Sequence, residues 1–232
     1  MDSLKINKGK NEFITVDNKK YSRLPIKTKV VSDRDDILNI VDKFAVPYLK
    51  ENDILFITEK IVACTQKRAI PMEYIKPRRL AKFLSKYVTK TPYGIGLGIP
   101  ETMEMALREC GTIRILFASV IAAIGKLFGK KGWFYIIAGE RARAIDGPCD
   151  CTLPPYNNYV VLAPLNPDKV AHEIKEHIGF ETIIVDINDL GGNILGISSE
   201  KLDKNLFVNI LKDNPLGQSS EQTPMGIIRE VL

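Results

Sequence analysis

The clearest pattern in the chain is a short unbroken apolar run that stops at polar residues. Residues 54–57, Ile-Leu-Phe-Ile, follow the turn-forming Glu51-Asn52-Asp53 and predict a buried strand. Thr58 then suits the N-cap of a helix, with Glu59 in its first turn. Residues 182–185, Thr-Ile-Ile-Val, predict a second buried strand ending at Asp186, with Asn188, Asp189, Gly191 and Gly192 close behind. Residues 133–147 read as one or two strands ending at Asp146-Gly147, and Asn157–Pro164 gives another strand. Helical spacing marks a helix starting at Pro100-Glu101, another from Asn166 or Asp168 to Gly179, and a late one before Pro215. The tail reads as a polar loop with a short apolar end. Strands and helices that mix without strict alternation predict an α+β or mixed α/β fold.

Composition narrows the classes. A chain of 232 residues, 45% hydrophobic and 26% charged, builds a sizeable core and is not a disordered tail. Its net charge of +5 suits an anionic ligand without pointing to nucleic acid. Four cysteines, Cys64, Cys110, Cys149 and Cys151, do not make a disulfide framework, and a reducing cytoplasm is the simpler setting. The stretch from Met1 to Phe13 lacks the apolar core of a signal peptide. Ile113–Phe128 is the most apolar segment, but Arg114 and Lys126 interrupt it and it falls short of the ~20 residues of a membrane span. It reads as a buried helix, not a membrane anchor.

Residues 76–90 carry Lys76, Arg78, Arg79, Lys82, Lys86 and Lys90 and no acid, while Leu80, Phe83, Leu84, Tyr87 and Val88 recur at helical spacing. This predicts an amphipathic helix whose basic face is either simply solvated or a landing surface for a polyanion. Gly94, Gly96 and Gly98 precede the helix at Pro100 in a spacing that is not the dinucleotide fingerprint, so a flexible loop accounts for them. His172 and His177 are five residues apart, about 140° around a helix, and do not form the zinc motif. Cys149-Asp150-Cys151 lacks a second cysteine pair, Gly125-Lys126-Leu127 lacks the hydroxyl of a P-loop, and no nucleophile elbow occurs. What remains is a set of acidic and polar residues at apparent strand ends: Thr58-Glu59, Asp146, and Asp186 with Asn188. Each alone is a common turn cap. Asp146 and Asp186 together point to hard oxygen ligands for magnesium or manganese carrying a nucleotide phosphate.

Six segments occur in an order that resembles a known family: "RLPIKTKVV", "NDILFITEKIVACTQ", "TPYGIGLGIPETMEMAL", "AIDGPCDCTLPPYN", "VVLAPLNPDKVA" and "IIVDINDLGGNILG". Together they are similar to the coenzyme F-420:L-glutamate ligase (gamma-glutamyl ligase) family in its short bacterial form, over roughly residues 20–230. The resemblance implies a mixed α/β gamma-glutamyl-ligase-like fold in an intertwined homodimer, with residues 1–19 as an extension and 20–232 as the ligase-like domain, undivided or in two subdomains. It implies an amide ligase that uses GTP, or ATP, to join L-glutamate to an anionic carboxylate acceptor through an acyl phosphate. Divalent metal, magnesium or manganese, would hold the nucleotide, with a monovalent cation as a further candidate.

The same resemblance carries the nucleotide contacts onto Leu24, Pro25, Ile26, Lys27, Thr58, Glu59, Gly217 and Gln218. It carries the metal contacts onto Asp146, Asp186, Ile187, Asn188 and Gln218, with Asp146 and Asp186 as the catalytic pair. The sequence departs from the archaeal enzymes at Cys64, where they carry a lysine, and in the late loop, which is poorer in glycine. The competing readings are a basic nucleic-acid-binding protein that uses residues 76–90, and a family member that binds nucleotide without ligating.

Overall fold

A computed structural model describes residues 4–88, 95–130, 132–150, 152–189, 191–217 and 220–231. In chain order the strands are β1 (Phe13–Val16), β2 (Lys19–Ile26), β3 (Ile54–Thr58), β4 (Ala69–Pro71), β5 (Tyr159–Val161), β6 (Glu181–Asn188), β7 (Gly191–Ile197) and β8 (Met225–Val231). The α-helices are α1 (Ile37–Phe44), α2 (Glu59–Thr65), α3 (Arg79–Leu84), α4 (Pro100–Glu109), α5 (Thr112–Leu127), α6 (Trp133–Ala138), α7 (Glu140–Arg143), α8 (Pro167–Ile178) and α9 (Lys204–Leu211). The architecture is mixed α+β. The chain divides into two compact units, Met1–Lys67 with Pro164–Leu232, and Arg68–Ala163.

The first unit is built on a six-stranded sheet in the order β1-β2-β8-β3-β6-β7. Its pairings are antiparallel except β3 with β6, which is parallel. Strand alternation sends Leu55 and Ile57 to one face, into a core with Val41, Val62, Ile174 and Ile227. Phe56 points to the other face, into a core with Ile183, Phe207, Ile210 and Ile228. Pro25 is tolerated in β2 because β1 pairs only as far as Ser22. The next outward-facing donor, the Arg23 N–H, bonds Glu12 O, so Pro25 two residues on removes no ladder bond.

The apolar end of the tail is the inner strand β8, with Gly226 opposite both Pro25 and Phe56. A Cβ on Gly226 would lie 2.6 Å from Phe56 Cζ and 2.8 Å from Leu24 O. Gly226→Ala is therefore expected to destabilise this unit by about 2 kcal/mol through overpacking, read as a lower denaturant midpoint with unchanged slope.

The second unit packs α3 to α7 around Leu97, Met103, Leu107, Ile115, Ile145 and Val160, with the short ladder β4-β5 at one side. Residues 133–143 are two short helices, α6 and α7, and not the strands expected from their apolar text. Gly132 and Gly139, both near φ +90°, delimit α6. A short apolar run does not by itself distinguish a strand from a packed helix. The basic segment is shorter than its periodicity predicts. It comprises α3 and a 3₁₀ turn at Ser85–Tyr87, and Lys90 and Gly94 lie outside the described residues. Phe83 and Tyr87, expected on its buried face, are exposed. Helix α5 is likewise not buried all round, since Ile113, Phe117, Val120 and Leu127 face outward. Cys149 is disulfide-bonded, while Cys64 and Cys110 form no disulfide.

Glu104 anchors this second unit. Its carboxylate, 1% exposed, accepts from the Arg78 backbone N–H, the Arg78 guanidinium and Arg108 Nε at 2.8–3.1 Å. Burial pushes its pKa up, but the Arg78 N–H and the two guanidinium bonds outweigh that and hold it below the ordinary 4.5. The unfolded chain therefore takes up this proton at higher pH than the folded one. The resulting stability is complete above about pH 4.5 and is lost as pH falls through the lowered folded value. Trp133 is the single tryptophan and lies in α6. Acid unfolding followed by its fluorescence is expected to show this loss in the wild type, and Glu104→Gln is expected to flatten that limb of the profile.

Candidate functional site

In the first unit, the predicted nucleotide segments meet at one edge of the sheet. Strand β3 ends at Thr58, which is in register with Val185, while β6 runs on three residues further to Asn188. Strand β8 begins at Met225, in register with Ile26 and Ile57, so the end of β2 lies at the same edge. Residues 222–224 run along that edge, since Thr28 N–H donates to Gln222 O at 3.0 Å and Thr58 N–H to Pro224 O at 2.9 Å. Carboxyl ends of parallel strands, here β3 and β6, are where α/β sheets leave room for ligands.

The predicted residues take distinct places there. Leu24, Pro25 and Ile26 are the last three residues of β2, Ile26 fully buried, and Lys27 emerges exposed just beyond it. Thr58 and Glu59 form the expected strand-to-helix turn. Thr58 takes the N-cap position of α2 without making a side-chain cap bond. Cys64 is buried in the same helix.

Asp186 does not end its strand. Strand β6 continues through Ile187 to Asn188, and Gly191 and Gly192 begin β7 instead of releasing the chain, with Asp186 opposite Asn193 and Ile187 opposite Gly192. A Cβ on Gly192 would lie 2.4 Å from Ile187 Cγ2, so this glycine makes room for that side chain. Asp186 and Asn188, two apart on one strand, project to the same side of the sheet. Asp189, in the tight turn, is bonded by Lys10 Nζ at 2.7 Å and Asn214 Nδ2 at 3.1 Å.

The late loop is held from several directions. Asn214, 1% exposed at φ +50°, also donates to Gly217 O at 2.9 Å. Asn7 Nδ2 reaches Pro215 O, Leu216 O and Thr223 Oγ1 at 2.8–3.1 Å, and Thr223 Oγ1 donates to Leu216 O at 2.6 Å. Gly217 sits at φ +79°, where a side chain is strained. Gln218 lies outside the described residues. Asn7, Lys10, Asn214 and Thr223 escaped sequence reasoning. Only the Asn214-Pro215 dipeptide, a turn signal, marked this position in advance.

Asp146 belongs to the second unit, where it exchanges two 2.9 Å backbone bonds with Val161 as an isolated bridge. It therefore follows helix α7 rather than a strand. The two histidines of α8 have separate partners: His172 Nδ1 lies 3.3 Å from Ser198 O, and His177 Nε2 lies 2.8 Å from Asp42. Among the described residues no three His, Cys, Asp or Glu side chains converge as a ready-made metal cage. The donor set at the sheet edge, a carboxylate and an amide oxygen, suits magnesium or manganese. These ions take one or two protein oxygens and complete their shell with phosphate and water.

A sequence model of the family described as F420-0:Gamma-glutamyl ligase matches residues 25–194. The coenzyme F420:L-glutamate ligase of Methanococcus maripaludis (strain C6 / ATCC BAA-1332) is 27% identical over 214 residues, covering 78% of this chain and 77% of that protein. The family match spans most of the chain and includes β3, α2 and nearly all of the β6-β7 hairpin: this protein belongs to the F420-0:gamma-glutamyl ligase family.

Proposed function

We propose that this protein is a nucleotide- and divalent-metal-dependent gamma-glutamyl ligase. It joins the amine of L-glutamate to an anionic carboxylate acceptor, a coenzyme F420 precursor or a molecule of the same class, and works as a homodimer. The observation that carries the proposal is the meeting of Ile26-Lys27, Thr58-Glu59, Asp186–Asn188 and residues 222–224 at one sheet edge, inside a chain of this family.

The chemistry needs two displacements. The acceptor carboxylate attacks the γ-phosphorus of GTP, GDP leaves, and an acyl phosphate forms. The glutamate amine then attacks the acyl carbon, loses a proton, and expels inorganic phosphate as the amide bond closes. Phosphoryl transfer asks a protein chiefly for positioning and charge balance. In this reading the backbone of Leu24–Ile26 lines the nucleotide, and exposed Lys27 balances charge on the transferred phosphoryl. Thr58 and Glu59 border the same edge, and residues 222–224 run beside it. Asp186, Asn188 and the backbone at Ile187 would hold a divalent ion. Such an ion, when bound, neutralises phosphate charge and fixes the nucleotide.

Calorimetric titration of GTP with and without manganese, followed by phosphate release with glutamate and a panel of carboxylate acceptors, tests the proposal. Metal-dependent GTP binding and glutamate-dependent release of phosphate are expected. ATP and potassium run in parallel define the preferred nucleotide and any monovalent ion. If nucleotide does not bind with or without metal, the proposal is wrong. If nucleotide binds but no acceptor supports phosphate release, the chain is a binding member of the family.

A further inference from the structure

Helix α5 carries an apolar stripe that the fold does not cover. Ile113, Leu116, Phe117, Val120, Ile124 and Leu127 recur at spacings of three and four and are all exposed, and Phe128 extends the row at 73% exposure. The opposite side of the helix, at Ile115, Ala118 and Gly125, is the buried one, and Gly125 faces the Trp133 ring of α6. The stripe is therefore additional to the packing face. At 1.5 Å per residue it runs roughly 24 Å, more contiguous apolar surface than a soluble monomer usually leaves bare.

The surroundings of the stripe are basic. The described residues of 75–100 and 111–139 contain eight lysines and arginines and no acid, with Arg78 paired to Glu104. Lys126 Nζ donates to Tyr87 O at 2.9 Å, which ties the end of α5 to the turn after α3. There Phe83 and Tyr87, 55% and 63% exposed with ring centroids 5.1 Å apart, continue the apolar surface, and Lys82 and Lys86 are exposed beside them. Among the described residues no single helix is long and apolar enough to cross a membrane.

From this juxtaposition we infer that α5 and the turn after α3 form a peripheral docking face for an anionic phospholipid surface. The stripe enters the boundary between headgroups and acyl chains, while Lys82, Lys86, Lys126 and Lys130 stay at the level of the phosphates. Charge selects this occupant. A second copy seated on the same face would bring the same excess of positive charge toward itself. A nucleic acid would satisfy the lysines and leave seven apolar side chains in water.

The test is co-sedimentation of the full chain with vesicles of phosphatidylcholine and phosphatidylglycerol, or of phosphatidylcholine alone, at low and high salt. Phe117→Glu/Ile124→Glu serves as the comparison, with far-UV circular dichroism to show that it folds. The wild type is expected to pellet with the anionic vesicles and to be retained about tenfold less on phosphatidylcholine or at high salt. The variant is expected to remain in the supernatant. Three results would overturn the inference: a wild type that ignores anionic vesicles, equal binding to both lipids, or a lipid-free wild-type dimer that the variant converts to monomer.

Discussion

Asp186→Asn is expected to abolish manganese-dependent GTP binding and to lower glutamate-dependent phosphate release by about a hundredfold or more. The substitution keeps the shape of the side chain and the register of β6 against β7, so the sheet edge is preserved. What it removes is the negative charge that makes this oxygen a hard ligand. Asp189→Asn is the matched comparison three residues on. That carboxylate is already engaged by Lys10 and Asn214, so its loss is expected to loosen the turn while leaving metal-dependent binding within a few fold. Calorimetry on the two variants and the wild type separates the roles. Retained metal-dependent binding in Asp186→Asn would remove this residue from the metal site and leave the family fold intact.

Arg23→Ala is expected to destabilise the first unit by about 3 kcal/mol, lowering its melting temperature by roughly 10 °C. Arg23 is fully buried on β2. Its guanidinium pairs with Asp213, donates to Ile210 O at 3.0 Å and donates to Asn11 O at 2.7 Å, so one side chain joins the sheet to the end of α9 and to the segment preceding β1. Truncation leaves a void, two carbonyls without their donor, and a carboxylate without its cation. Asp213 is 38% exposed and can turn toward water, which keeps the expected loss at the lower end for a broken buried pair. Asp213→Asn should cost less, because the amide oxygen still accepts from Arg23. Thermal melts of both variants check the order. Asp213 N–H and O belong to the loop that leads to Gly217, and Lys10 binds Asp213 O at 3.2 Å, so Arg23→Ala is also expected to weaken nucleotide binding.

What the sequence determined by itself was local. The β-branched run at 54–57 followed by Thr58-Glu59 dictates the β3-α2 turn, because the strand's apolar text and the helix's first-turn acid are both encoded within a dozen residues. Pro100 starting α4, and Asn166 and Gly179 bounding α8, are legible for the same reason. The family resemblance rests on six segments, among them the β3-α2 turn and the stretches around Leu24, Asp146 and Asp186, and is met by the match over residues 25–194.

Tertiary structure decided the rest. Seven residues at the chain's end carry too little pattern to announce an inner strand, and β8 becomes one only because β2, some 200 positions earlier, and β3 offer it two edges. Residues 133–143 carry the same apolar text as a strand, yet they fold as two helices, α6 packed on α5 and α7 on α6 and α4, where packing outweighs the ambiguous run. Periodicity likewise shows that α5 and α3 have apolar faces without showing whether anything covers them. That depends on which neighbours the fold supplies, and Phe117, Leu127, Phe83 and Tyr87 stay exposed. Asn7, Lys10, Asn214 and Thr223 shape the late loop through bonds spanning up to 216 positions, a separation at which no local signal exists.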